Sequence, residues 1–327
     1  MLDDKRVATT AEATPGDPQR NQRIRAAWIY YIEGKTQNEV AQILGLNRVA
    51  VTRLLSEARR RREVVITVRS DLDELVAAER TLEEAYGLER AVIAPFTTEG
   101  GDPTRAIAAA AGPVISALVG HDMTVGVGWG RTLYQTLGFL EPRPLRGVRV
   151  ISFLGGISEA KRFNPAEFAW RFAELFDAEG FLVPAPALVD SPQTRHALLE
   201  HCGLDQVFQM AEASDIALLS CGGIGQLNTS YRLGHVSEAE RRSLIEAGAV
   251  GDILYNFVDA DGAVVDHSVN ERCISVSLER LRRIRQRVLI SGGPEKLGII
   301  KATFRTLRPT TFVTDEKTAL ALLDGAV

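Results

Sequence analysis

Residues 36–62 read TQNEVAQILGLNRVAVTRLLSEARRRR, and the spacing inside this run predicts a helix-turn-helix. Ala41 is small enough for close helix crossing, Gly45 tolerates a left-handed turn, and Val51 supplies an apolar anchor. Val40, Ile43 and Leu44 stand at helical spacing before Gly45, and Leu46, Val49 or Ala50, Val51, Leu54 and Leu55 continue the stripe after it. Two short helices with one shared core follow from that pattern. Asn47 suits the N-cap of the second helix, which sets Arg48, Ala50, Thr52 and Arg53 on its first turns, facing away from the stripe. Such positions enter the major groove of double-stranded DNA, where arginine bonds bidentately to guanine and an alanine or threonine methyl touches thymine. Thr36, Gln37 and Asn47, at the starts of the two helices, complete the expected DNA-contacting set.

Any alanine-rich helix pair with a glycine turn can imitate this pattern, so charge is the second test. Residues 20–68 hold ten Lys or Arg against four acids, a net +6; with −4 for the whole chain, the remainder carries −10. A basic head on an acidic body suits phosphate contact by the head alone. Upstream, the run RAAWIYY at 25–31 offers Trp28, Ile29 and, just beyond, Ile32 as a supporting helix for a three-helix core. Downstream, VVITV at 64–68 reads as the strand of a wing. The expected boundaries are a disordered tail at 1–20, a winged helix-turn-helix at 21–68, a connector helix at 69–90 and a body at 91–327. The connector carries Leu72, Leu75, Val76, Ala78, Leu82 and Tyr86 among many charges and ends near Gly87.

At 327 residues, 45% apolar and 24% charged, the chain has the composition of a soluble globular protein of two domains. No apolar run reaches the roughly eighteen residues that span a bilayer, and the polar first twenty residues do not resemble a signal peptide, so a cytoplasmic protein without a membrane partner is expected. Cys202, Cys221 and Cys273 have no ligand spacing, and of the five histidines only His267, beside Asp266, has polar company; no metal site is readable.

From Ala91 the pattern alternates. Apolar runs at 91–94, 123–127, 148–153, 181–183, 215–219, 254–258, 287–291 and 311–313 read as strands, with helix-like stretches at 104–119, 166–179, 192–202, 237–247, 277–285 and 295–305. This alternation predicts an α/β domain with a doubly wound, mostly parallel sheet that binds ligands at the C-terminal ends of its strands. Glycine turns stand at those ends. TVGVGWGRT at 124–132 leads into the helix-like LYQTLGFL, so amides from Gly128 to Thr132, with Trp129 and Gly130 between, can face an anion; Arg131 and Thr132 add donors and a hydroxyl. The turn is GxGxG rather than GxGxxG, and the chain has no GKS or GKT, so NAD and ATP are poor candidates and no cofactor is expected. Gly155-Gly156, Gly222-Gly223 and Gly292-Gly293, the last followed by Lys296, repeat the arrangement, while Gly251-Asp252 and Asn270 with Arg272 supply polar groups beside strands.

Together these pieces resemble the SorC family of sugar-responsive transcriptional regulators over about 21–323: QNEVAQILGLNRVAVTRLLSEAR, TVGVGWGRTL, FLGG, DIALLSCGGIG, GDILYNF, SGGPEKLGIIKATFR and VTDEKTALALL. The resemblance implies a body similar to glucosamine-6-phosphate deaminases and ribose-5-phosphate isomerases, turned from catalysis to sensing. It implies a small sugar, sugar phosphate or polyol effector, commonly a homo-tetramer, and regulation, as repressor or activator, of a carbohydrate operon. The effector contacts it implies are Gly128, Trp129, Gly130, Arg131, Thr132, Gly155, Gly156, Asp252, Gly292, Gly293 and Lys296. Where some relatives place a polar residue before the first glycine pair this chain has Leu154, so a non-phosphorylated polyol stands beside a sugar phosphate.

Two other readings remain open. A working isomerase or deaminase with a DNA-binding head needs a base near a substrate C–H, and Asp252, Asp259, Asp261 and Asp266 are available, though no carboxylate–histidine spacing singles one out. A DNA-bound structural protein without an effector would leave the four glycine strand ends without a purpose.

Overall fold

A computed structural model describes residues 18–61, 63–64, 73–95, 101–157, 164–226 and 228–324. The chain divides into two compact units, 1–66 and 67–327.

The first unit is helical: α1 (Pro18–Ala27) runs into a π-helical turn, Trp28–Ile32, followed by α2 (Gln37–Leu44) and α3 (Arg48–Arg60). Val40 and Ala41 of α2, Val51, Leu55 and Ala58 of α3, and Ala26, Ala27 and Ile29 form its core. Trp28 and Ile32, expected in that core, are instead 58% and 66% exposed. The π turn rotates the chain so that Ile29 alone of the three reaches the core. The tail expected at 1–20 falls outside the described residues except for 18–20, which begin α1; the wing strand falls outside except for Val64, which lies in no strand.

A buried ion pair closes this unit. Arg23 of α1 is 2% exposed, and its guanidinium donates from Nε and Nη2 to the two carboxylate oxygens of Glu63 at 2.8 and 2.7 Å. The Arg23 hydrogen bonds hold the Glu63 carboxyl below its ordinary range.

The second unit is built on a seven-stranded sheet of β1 (Arg90–Ala94), β2 (Thr124–Val127), β3 (Arg149–Gly156), β4 (Glu179–Pro186), β5 (Ile216–Leu219), β9 (Gln286–Ile290) and β10 (Thr311–Asp315). Their order is β1-β10-β9-β5-β2-β3-β4, and every pairing is parallel. Successive residues alternate between two cores. Ile216, Leu218, Val288, Ile290 and Val313 point to one, with α5 (Thr104–Leu118), α6 (Arg131–Thr136) and α7 (Pro165–Phe176); Ala217, Leu219, Leu289 and Phe312 point to the other. That second core also receives Leu75 and Leu82 of α4 (Asp73–Tyr86), the helix expected as a connector, which therefore packs on the body. It receives Leu204 and Phe208 from a helix, Leu204–Glu212, that lies outside the expected helix-like stretches.

Helix α4 also covers an edge of the sheet. The β1 amides of Ala91 and Ile93 donate to Glu83 and Glu79 side chains, each at 2.8 Å, so these amides are satisfied without another strand. The run at 254–258 departs from the parallel plan: a small antiparallel sheet joins β6 (Gly222–Gly223), β7 (Gly251–Ile253) and β8 (Asn256–Val258). Leu254 and Tyr255 form the turn between β7 and β8, with φ of 53° and 63°.

Replacing Arg23 by alanine removes both short hydrogen bonds to the part-buried Glu63 and leaves it the longer contact from Arg20 at 3.9 Å. The expected loss is about 1–3 kcal/mol, read as faster amide hydrogen exchange in α3 of the intact chain. Because the Glu63 carboxyl is held down, its contribution is present above the ordinary glutamate range and lost as pH falls below it, so the parent should approach the variant in acid.

Candidate functional site

The face of the first unit expected to meet DNA is organised by its caps. Thr36 and Glu39 form a capping box at α2, the Glu39 carboxylate accepting from the Thr36 amide at 2.7 Å and hydroxyl at 2.8 Å. Gly45 ends α2 in the left-handed region at φ 65°, and Asn47 accepts from the Ala50 amide at 2.8 Å to start α3. The Thr52 hydroxyl donates towards Gln37 Oε1 and the Arg48 carbonyl, both at 3.0 Å, tying α3 to the first residue of α2. Arg48, Thr52 and Arg53 are exposed on one face. Ala50, expected beside them, is half-buried, and its place on that face is taken by Val49, which is 79% exposed. Val51 points fully inward, and helical spacing puts Ala50 beside it and Val49 nearly opposite. At the far end of α3, Arg60 and Arg61 fold back on Glu57 and hold its carboxyl at about 2, whereas Arg48 and Arg53 make no ion pair with another described residue.

In the second unit, a cavity of about 300 Å³ opens at the C-terminal ends of β2, β5 and β9. The sheet order reverses between β2 and β5, the kind of place where doubly wound sheets bind ligands. Of the expected contacts, Trp129, Gly130, Arg131, Thr132, Asp252 and Lys296 line it together. Gly128, Gly155, Gly156, Gly292 and Gly293 do not. The Gly128 amide donates to the Leu218 carbonyl at 2.8 Å inside the sheet. Gly155 lets β3 approach β4, where a Cβ would stand 2.4 Å from the Ala185 carbonyl oxygen; Gly156 continues the same irregular pairing. A Cβ on Gly292 would meet the Asp315 carboxylate at 2.3 Å, while the Gly293 amide donates to Asp315 at 3.1 Å and to the Thr318 hydroxyl at 2.8 Å. That pair turns the chain so that Glu295 and Lys296, rather than the glycines, face the cavity.

Asp252 is 4% exposed; its oxygens accept from Asn228 Nδ2 at 2.8 Å and from the Tyr255 amide at 3.1 Å. Burial pushes its carboxyl up to about 6, against those hydrogen bonds and the Lys296 charge. The Tyr255 ring stacks on Trp129 at 4.9 Å between centroids, 11° from parallel, and its hydroxyl meets His235 Nδ1 at 2.5 Å. Arg131 is oriented by Asp102 at 3.0 Å and Thr104 at 3.2 Å, and Lys296 makes no ion pair among the described residues. The cavity thus offers two cations, a buried carboxyl and an aromatic wall, a set suited to hydroxyls and an anionic group.

Ser220, Cys221, Gly222, Gly223, Asn228 and Glu295 also line the cavity without having been singled out as contacts. The run DIALLSCGGIG held the signal for the first four; Asn228 is joined to Asp252 only through the fold. The Cys221 thiol is pushed up by burial, which makes it a poor nucleophile. Asp259 accepts from the amides of Asp261 and Ala263 within a turn, and neither it, Asp261 nor Asp266 lines the cavity. Asn270 bonds both backbone groups of Phe257, and Arg272 pairs with Glu240, so these two serve packing. His267 caps a short helix, and no metal-binding cluster is present among the described residues.

The Sugar-bind family, a sugar-binding domain, matches residues 70–324. The chain belongs to the SorC family of sugar-binding transcriptional regulators. It is 30% identical over 303 residues to the deoxyribonucleoside regulator of Bacillus subtilis, covering 92% of this chain and 96% of that one. It is 30% identical over 302 residues to the erythritol catabolism regulatory protein EryD of Brucella abortus, covering 92% and 95%. The full-length sorbitol operon regulator SorC of Klebsiella pneumoniae superposes with a TM-score of 0.70 at 26% identity, over 94% of this chain and all of that one. This member of the family is therefore a transcriptional regulator with a sugar-binding body. Among its described residues no helix is long and apolar enough to cross a membrane.

The pH dependence of stability tests the Asp252 arrangement. With its carboxyl raised from 3.8 to about 6, the folded state holds the proton more tightly, so the parent loses stability as pH rises from 4 through 6. Asp252→Asn should remove about 3 kcal/mol of that pH dependence while losing one hydrogen bond at every pH, as urea unfolding between pH 4 and 7 would show.

Proposed function

We propose that this protein controls a carbohydrate or polyol catabolism operon by binding double-stranded operator DNA through α3, with operator affinity set by a small sugar, sugar phosphate or polyol in the body cavity. The observation that carries this reading is the convergence of Trp129, Arg131, Thr132, Asp252 and Lys296 on one cavity at the β2/β5 switch point. The relatives named for deoxyribonucleoside, erythritol and sorbitol support the ligand class. Lys296 and Arg131 suit a phosphate or the hydroxyls of a polyol, and Asp252 with Asn228 suits hydroxyl recognition.

Sensing fits this site better than turnover. Both oxygens of Asp252 are engaged by Asn228 and Tyr255, which leaves it poorly placed to take a proton from a substrate C–H. The protein would act in the cytoplasm as a homo-oligomer, a tetramer by analogy with its family. A ligand can alter operator affinity only by binding one quaternary arrangement better than another, so the mechanism is a population shift between subunit arrangements.

A thermal-shift screen of the intact protein against sugars, polyols and their phosphates tests the effector. A true effector at a hundred times its Kd should stabilise by about 2.7 kcal/mol. Lys296→Ala and Arg131→Ala should each remove the shift; no shift with any compound would overturn the reading. For the head, Arg53→Ala should weaken binding to a selected duplex by about 1–3 kcal/mol in fluorescence anisotropy, and equal affinity of variant and parent would exclude Arg53 as a contact.

A further inference from the structure

The exposed side of α3 presents one side chain that nothing among the described residues of the head explains. Val49 is the second residue after the Asn47 cap, and at 79% exposure it is the most solvent-exposed large apolar side chain among the described residues. The core beneath α3 is already filled by Val51, Leu55 and Ala58. A β-branched residue has no advantage in an exposed first turn, where its restricted χ1 slightly disfavours helix.

The surroundings of Val49 are those of a groove-reading position. Arg48 precedes it, and Thr52 and Arg53 lie three and four residues on, so all four share one exposed face. Neither arginine is neutralised by a described carboxylate, whereas Arg60 and Arg61 are both folded onto Glu57. The free cations therefore flank an apolar centre. The Thr52 hydroxyl is committed to Gln37 and to the Arg48 carbonyl, and Ala50 is turned half inward. Val49 thus supplies the principal apolar surface of this face in the first turn of a helix that, in a helix-turn-helix, meets base edges with its N-terminal residues. In the major groove the apolar feature of a base pair is the C5 methyl of thymine.

We propose that Val49 is a specificity-determining residue that packs against the C5 methyl of one thymine in each operator half-site. The proposal rests on the operator-binding reading above and adds to it a base preference and the residue responsible. The two arginines hold the helix on the duplex through phosphates or guanines, and Val49 rewards a thymine between them.

The test starts from duplexes selected out of a random pool by the intact protein. In the enriched site each thymine is replaced in turn by deoxyuridine, which deletes the methyl and leaves the Watson–Crick edge unchanged. For the parent, one replacement per half-site should weaken binding by about fourfold, the weight of one methyl group removed from water. Val49→Ser should bind thymine and deoxyuridine duplexes alike at that position and Val49→Ala should narrow the difference, both melting with the parent, since the side chain is exposed. Two results would overturn the assignment: a parent indifferent to every replacement, or a methyl effect that survives unchanged in both variants, which would transfer the contact to Ala50 or Thr52. A pool that yields no enriched sequence would overturn the operator-binding reading itself and this proposal with it, an outcome distinct from an enriched site that ignores Val49.

Discussion

Burial of the parallel sheet on both faces is the constraint from which the rest of the body follows. Each central strand sends alternate residues into two separate apolar cores, as Ile216 and Leu218 do on one side and Ala217 and Leu219 on the other. No position within such strands is free for a ligand. Polar chemistry is displaced to the strand ends, and because all seven strands run the same way, their C-terminal ends gather at one rim. The cavity forms where β2 and β5 diverge into opposite halves of the sheet, since connections leaving neighbouring strands in opposite directions leave a gap between them.

One side of that cavity rests on an uncommon turn. Leu254 and Tyr255 both hold positive φ, although neither is glycine or asparagine and both are buried. Side chains of this kind resist that conformation by roughly 1–2 kcal/mol per residue. The surrounding contacts offset the cost: Asp252 accepts the Tyr255 amide, the ring stacks on Trp129, and His235 meets the hydroxyl. The buried carboxyl of Asp252 thereby joins the hairpin to the loop carrying Asn228, and a strained hairpin becomes a rigid support for the aromatic wall. Strain held by several independent contacts is common where geometry must be kept for a ligand.

In the head, the same residue type does two different jobs. Arg23 is buried and locked to Glu63 across the helices, Arg60 and Arg61 neutralise Glu57, and Arg48 and Arg53 remain without an ion pair among the described residues. The charge available for a phosphate backbone is therefore smaller, and more localised, than the count of basic residues suggests.

Period-two and period-3.6 patterns made most elements legible: the helix-turn-helix, the parallel sheet and the glycine turn before Arg131 follow from spacing that each local segment carries by itself. Trp129, Arg131, Thr132, Asp252 and Lys296 were legible as a group because glycines or family motifs mark them, and all five line the cavity. Gly155, Gly292 and Gly293 carried the same mark for another reason, since a glycine that admits a neighbouring strand or carboxylate looks in sequence like one that admits a ligand. The exchange of Ala50 for Val49 on the exposed face follows from the inward Val51, since one residue back along a helix lies about 100° away and two lie nearly opposite; the expected stripe had left Val49 and Ala50 as alternatives. Sequence by itself determined the two-unit plan, the helix-turn-helix and the sheet class, because these depend on short-range periodicity. Only the tertiary structure decided which strand ends converge, that Asn228 and Tyr255 would hold Asp252, and which arginines stay unpaired, because those depend on contacts between residues far apart in the chain.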